Sequence, residues 1–136
     1  MKGNIEGVQA AIENGTDVNV KTSFGETGLM WALIESQHDV MQVLLHHPQI
    51  DVKKLDENGC SALHWAVVSD NHEGMTALLT QNDQRINQRE IHWGMTPIMI
   101  AVRWNSVNCF QLLLTNHLVD LDTRDNYERT TQEVRG

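Results

Sequence analysis

The chain of 136 residues is poor in the residue patterns that announce chemistry. Its two cysteines, Cys60 and Cys109, are too few for a disulfide framework and too far apart for a paired zinc motif. Such sparse cysteine usage fits a reducing interior, so an intracellular home, cytoplasmic or nuclear, is expected. No apolar run approaches the roughly 20 residues needed to span a bilayer. The opening Met1-Lys2-Gly3-Asn4-Ile5-Glu6 lacks the apolar stretch of a secretory signal. Positive charge is also scarce: 10 Lys and Arg stand against 18 Asp and Glu, for a formal net charge of −8. An acidic surface repels phosphate backbones and anionic lipid, and it favours partners with a basic or neutral face. Neither nucleic acid nor membrane is expected as a partner.

Catalytic patterns are missing as well. There is no Gly-x-Ser-x-Gly, no Gly-rich phosphate loop, no His-Glu-x-x-His and no Cys-x-x-Cys. The seven histidines are scattered, and the adjacent His46 and His47 cannot both aim at one site from a helix. Cys60 sits in a turn, where it reads as a small tolerated residue rather than a nucleophile. Cys109 falls on the apolar side of a helix. The expectation is a protein that is not an enzyme and holds no metal or cofactor.

What the chain does have is a repeat. Gly25-Glu26-Thr27-Gly28-Leu29-Met30-Trp31-Ala32 is followed by Gly59-Cys60-Ser61-Ala62-Leu63-His64-Trp65-Ala66 and by Gly94-Met95-Thr96-Pro97-Ile98-Met99-Ile100-Ala101. The glycines lie 34 and 35 residues apart, and a degenerate copy starts at Glu128, another 34 on. A period in this range signals a stack of small supersecondary units. Each copy opens with a turn glycine, then a hydroxyl placed to cap a helix (Thr27, Ser61, Thr96). Pro97 suits the first turn of that helix. An apolar run follows, ending at Ala32, Ala66 or Ala101, whose small side chain lets a neighbouring helix approach.

Polar breaks at Ser36, Asp70 and Asn105 separate this helix from a second one. The second is marked by apolar residues three and four apart in 40–45, 74–79 and 109–114. The predicted unit is turn, helix, helix, loop, and the fold is all-α, a solenoid of helix-turn-helix units joined by short β-turn loops. Residues 1–136 read as one domain. Three full units cover 22–55, 56–90 and 91–124, with partial units at 1–21 and 125–136. Arg129–Val134 reads as a degenerate closing helix.

These phrases resemble the ankyrin-repeat family, whose pattern is Gly-x-Thr-Pro-Leu-His-x-Ala, a second helix, then Gly-Ala-Asp-Val-Asn. Gly59-Cys60-Ser61-Ala62-Leu63-His64-Trp65-Ala66 is similar to the first part. Asn14-Gly15-Thr16-Asp17-Val18-Asn19 is similar to the last. The resemblance runs along nearly the whole chain. It implies a scaffold for protein–protein interaction, with His64 bonding backbone across its turn. It also implies partner binding on a concave face built from turn tips and first helices. Carried onto this chain, the candidate binding residues are Phe24, Glu26, Glu35, Glu57, Trp93, Met95, Arg103, Trp104, Tyr127 and Arg129.

Phe24, Trp93, Trp104 and Tyr127 would be exposed rings, the residue type that anchors interfaces. Trp31 and Trp65, at equivalent repeat positions, are expected to stack in the core. Rings at one end and carboxylates at the other suit a partner peptide with a basic residue beside an apolar one. A narrower expectation is a methyl-lysine cage made by Trp93, Trp104 and a glutamate. Others are a regulatory fragment of a larger multidomain protein, self-association through exposed terminal repeats, and hydroxylation of Asn19.

Overall fold

The computed structural model describes residues 14–15, 17–81 and 85–134. Most of the partial unit at 1–21 therefore lies outside the described residues. Among the described residues six short helices follow one another: α1 (Gly28–Ile34), α2 (His38–Leu45), α3 (Ala62–Val68), α4 (His72–Leu79), α5 (Pro97–Arg103) and α6 (Val107–Leu114). Among the described residues there is no strand beyond one isolated bridge between Lys21 and Thr27. The all-α expectation holds.

Each first helix starts as the hydroxyl spacing predicts. The Thr27 and Thr96 side chains accept the amides of Met30 and Met99, three residues on. At Ser61 the third helical residue also reaches back, with the Ser61 amide donating 3.0 Å to His64 Nδ1. Nδ1 is thereby an acceptor, so Nε2 carries the proton and donates to the Met95 carbonyl of the next unit at 3.0 Å. His64 thus does more than bond across its own turn, because it ties two units together.

The first helices also end alike. Ser36, Asp70 and Asn105 adopt left-handed backbone, with φ of 53°, 50° and 55°. The amides that follow them, from Gln37, Asn71 and Ser106, reach back to the carbonyls of Ala32, Ala66 and Ala101. This is a Schellman closure three times over. It aims each second helix back along the first, and the apolar faces of both helices meet in one continuous core. Leu33, Met41, Leu63, Met75, Leu78, Ile98, Cys109 and Leu113 are all essentially solvent-free within it. The closing helix expected at 129–134 is instead one turn, in which the Val134 amide reaches the Thr130 carbonyl. Its start is capped, since Glu133 Oε1 accepts the Thr130 amide at 2.9 Å.

Neighbouring units are stitched by polar side chains as well as by the core. Asn71 Nδ2 and Ser69 Oγ both donate to the Leu33 carbonyl. One unit later Ser106 Oγ donates to the Val67 carbonyl, while Asp70 accepts the Cys109 amide. Asn19 spans two units too: its side chain donates to the Gln49 carbonyl and accepts the Asp51 amide. Asn87 repeats this with Leu118 and Asp120.

Candidate partner-binding face

The turn tips are built by a recurring acceptor that the repeat phrase does not include. Asp56 takes the Asn58 and Cys60 amides on one oxygen and the Trp65 indole N–H on the other, at 3.0 Å. Glu90 takes the amides of His92, Trp93 and Met95. Asp125 takes those of Tyr127 and Arg129 and the Arg129 Nε–H at 2.8 Å. In the first tip the Thr22 hydroxyl takes the Phe24 and Glu26 amides. Thr22, Asp56, Glu90 and Asp125 recur 34, 34 and 35 residues apart, a signal present in the sequence but outside the phrase that defined the repeat.

Burial of the Asp125 carboxylate pushes its pKa upward. Bonds from the Arg129 amide and guanidinium and the Tyr127 amide outweigh that and hold it below the usual carboxylate range.

The tips are also linked to each other. The amides of Glu57, Ile91 and Asn126 donate to the carbonyls of Phe24, Asn58 and Trp93, at 2.8–3.0 Å. This contact is tight: a Cβ at Gly25, whose φ is +79°, would sit 2.8 Å from the Glu57 nitrogen. A linked row of tips thus faces the row of first helices, with a groove between them.

Residues at equivalent positions line that groove in rows. The tip row is Phe24, Asn58, Trp93 and Tyr127. One helix row is Trp31, Trp65 and Ile100, and the next is Ile34, Val68 and Arg103. In its middle the groove holds a slot of about 250 Å³ lined by Ile34, Asp56, Asn58, Cys60, Trp65 and Val68, among others. At the end formed by the third and fourth tips it holds a cleft of about 340 Å³ lined by Trp93, Arg103, Tyr127 and Arg129. There Arg103 lies over the Trp93 ring at 5.8 Å and Arg129 over the Tyr127 ring at 5.1 Å.

Four of the expected residues therefore come together, namely Trp93, Arg103, Tyr127 and Arg129. Phe24 and Tyr127 are about as exposed as expected, at 59% and 66%. Trp104 is exposed but caps the end of α5 outside the cleft lining. Phe24 and Glu57 share the first tip-to-tip bond. Glu26 is half-buried and accepts the Thr22 hydroxyl, while Glu35 caps the C-terminus of α1 and is exposed.

Three expectations need correction. Met95 is only 1% exposed and belongs to the core, so it presents no side chain to a partner. The third tip is one residue longer than the second, Glu90 pairing with Met95 where Asp56 pairs with Cys60. Met95 occupies the closing position of that turn and turns inward. Trp93 and Trp104 make no ring pair among the described residues; Trp93 meets Arg103 instead. Finally, Trp31 and Trp65 do pair, with centroids 5.8 Å apart, but the rings are tilted by 59° and half-buried, and Trp65 lines the groove slot rather than the inner core.

Cys60 lines the same slot, yet burial, followed by the charges of Asp56 and Glu90, pushes its thiol up to about 12. It stays a protonated thiol near neutral pH, without nucleophilic character. Cys109, fully buried, is likewise pushed up to about 12 by burial and then by Asp70. Among the described residues no three His, Cys, Asp or Glu side chains converge as a metal site would need, and no helix is long and apolar enough to cross a membrane.

A family model of three ankyrin repeats matches residues 1–90, and a single ankyrin repeat matches residues 93–126. The chain is 30% identical over 113 residues to human transient receptor potential cation channel subfamily A member 1, covering 83% of this chain and 10% of that protein. It is 32% identical to chicken (Gallus gallus) inversin over 109 residues, 79% of this chain and 10% of inversin. Dog (Canis lupus familiaris) inversin gives 32% over 120 residues, 88% of this chain and 11% of the relative. The chain thus spans about a tenth of the length of the curated relatives it matches. Capped first helices, Schellman closures, linked turn tips and the family match together place this chain in the ankyrin-repeat family.

Proposed function

We propose that this chain grips an extended segment of another protein in the groove between its turn tips and first helices. Ankyrin repeats are protein–protein interaction modules, and the family is generally non-enzymatic. The observation that carries the reading is the run of exposed rings and concave sites along one face. Phe24 stands at one end, the Trp65 slot in the middle and the Trp93–Tyr127 cleft at the other end. The apolar slot suits an aliphatic or aromatic anchor. Glu26, Glu35 and Glu57 belong to the first two units, where a basic residue next to that anchor would meet opposite charge. As a piece about a tenth the length of its relatives, the chain suits a role as the docking part of a larger protein.

A methyl-lysine cage on Trp93 and Trp104 is not the reading adopted. Arg103 already covers Trp93, and a second cation there would meet like charge.

The test is a pull-down from native cell extract with wild type, the Trp93→Ala/Trp104→Ala variant, Trp65→Ala and a control, Thr76→Ala on the exposed side of α4. Proteins lost with the groove variants and kept by the control support the reading. Identical recovery by all four baits would sink it.

A second reading has its own observation. A cleft of about 490 Å³ lies against α5 and α6, lined by Ala101, Val102, Val107, Phe110, Gln111 and Leu114, among others. In the preceding unit the equivalent positions, from Ala66 to Leu79, lie where α3 and α4 receive α5 and α6. This surface suits a further helix pair, supplied by a second copy of the chain. Sedimentation of wild type beside Leu114→Lys tests it: concentration-dependent association that the variant abolishes is expected, and a monomer throughout would overturn it.

A further inference from the structure

We infer that the Trp93–Arg103–Tyr127–Arg129 cleft is an anion receptor, which takes a carboxylate or phosphate carried by the bound segment. The inference rests on the groove reading above and names the partner's chemistry at one end of it.

The groove changes character along its length at fixed repeat positions. The row that reads Ile34 and Val68 in the first two units reads Arg103 in the third. The row that reads Glu26, Cys60 and the inward-turned Met95 in the first three tips ends at Arg129 in the fourth. On a chain with net charge −8, this concentration of positive charge in one concavity runs against the overall balance.

The guanidiniums are held but not spent. An aromatic ring offers a guanidinium a surface and no lone pair. Among the described residues the Arg103 guanidinium makes no hydrogen bond or ion pair, so its contact with Trp93 restrains it while leaving its donors available. Arg129 spends its Nε on Asp125, which fixes its orientation and leaves two terminal nitrogens outside that bond. The nearby carboxylates do not open into the cleft: Asp125 is fully buried beneath Arg129 and pairs with its Nε, and Glu90 is 7% exposed and holds three tip amides. Two preorganised guanidiniums beside one cleft of about 340 Å³ match the several acceptor oxygens of an oxyanion. An ammonium would meet two like charges in the same place.

The experiment titrates isotope-labelled protein with matched extended peptides. Each carries one leucine anchor and, at varied distance from it, a glutamate, phosphoserine, glutamine or lysine. Indole N–H signals of Trp65 and Trp93 and guanidinium N–H signals of Arg103 and Arg129 report slot and cleft separately. The expected result is that glutamate or phosphoserine peptides shift the Trp93, Arg103 and Arg129 signals. They should bind about tenfold or more tightly than glutamine peptides, and that advantage should vanish in Arg103→Gln and weaken with salt. A larger advantage for phosphoserine than for glutamate identifies phosphate as the natural source, and the reverse identifies carboxylate. Leucine-dependent shifts at Trp65 with no preference for an anion, or with lysine preferred, overturn the receptor while the groove reading stands. No shift at either site from any peptide overturns both.

Discussion

The middle slot and the end cleft occupy the same face, come from the same repeat positions and differ in almost every property. In the slot, Trp65 is half-buried, tilted against Trp31 and tied by its indole N–H to Asp56. Its neighbours are Ile34 and Val68. In the third unit the equivalent helix position is the buried Ile100, which still borders the slot, and its outer neighbour Arg103 lines the cleft, whose rings come from the tips as Trp93 and Tyr127. One site offers apolar surface and the other offers charge on rings. An array whose scaffold is fixed by caps, closures and tip bonds can thus change what it recognises from unit to unit without changing its fold.

The largest expected effect separates scaffold from face. Met95→Ala empties a fully buried position and should cost about 2–5 kcal/mol, seen as a clear drop in melting temperature. A near-neutral result would return Met95 to the surface. Trp65→Ala removes a ring pair and a hydrogen bond, so a loss of about 2–3 kcal/mol is expected together with weaker binding of an apolar anchor. If stability falls and binding does not, the slot is packing alone.

Arg103→Val gives the third unit the residue of the second and should make the cleft resemble the slot. Preference for an acidic over a neutral peptide should fall about tenfold, with stability unchanged to within about 0.5 kcal/mol; calorimetry and thermal melts measure both. Trp104→Ala, outside the cleft lining, should change stability by under about 0.5 kcal/mol, and denaturant unfolding checks this.

The smallest effect concerns pH and the bond between the second and third units. Burial holds the His64 pKa below its ordinary 6.5, against the opposing pull of the Met95 carbonyl, Glu90 and Asp56. Above 6.5 the ring is neutral folded or unfolded, and the His64 contacts contribute in full. As pH falls below 6.5, the unfolded chain takes up a proton that the folded chain resists, so stability declines. Unfolding free energy measured from pH 7 to 5 should fall more steeply in wild type than in His64→Gln. Parallel curves would show that His64 does not carry the dependence.

Much of the scaffold was legible in the order of residues. The hydroxyl caps, the Ala positions and the polar breaks all follow from backbone chemistry that acts within one turn of the chain. Local causes leave local marks, and the repeat multiplies them three times. The acceptors Asp56, Glu90 and Asp125 were legible too, at the same period, although they lie ahead of the phrase that drew attention. The exposed rings of Phe24, Trp93 and Tyr127 at the turn tips, and of Trp104 at the end of α5, were placed correctly, because the repeat pattern puts these positions outside the apolar helix faces.

Contacts between units were another matter. That Trp93 would meet Arg103 and not Trp104 depends on how a tip leans over the end of the following helix. That Met95 would turn inward depends on how the longer third tip, closed by the bond from the Glu90 amide to the Met95 carbonyl, seats against the core. That Trp65 would line a groove depends on the distance between two rows built from different repeats. The sequence by itself determined the repeat, its helices, their caps and the character of each row, since these are set by neighbours along the chain. Only the tertiary structure decided which rows share a cavity and which charges lie over which rings. Apart from Arg129 over Tyr127 within one tip, those relations join residues about 10 to 35 positions apart, brought together by the packing of whole units.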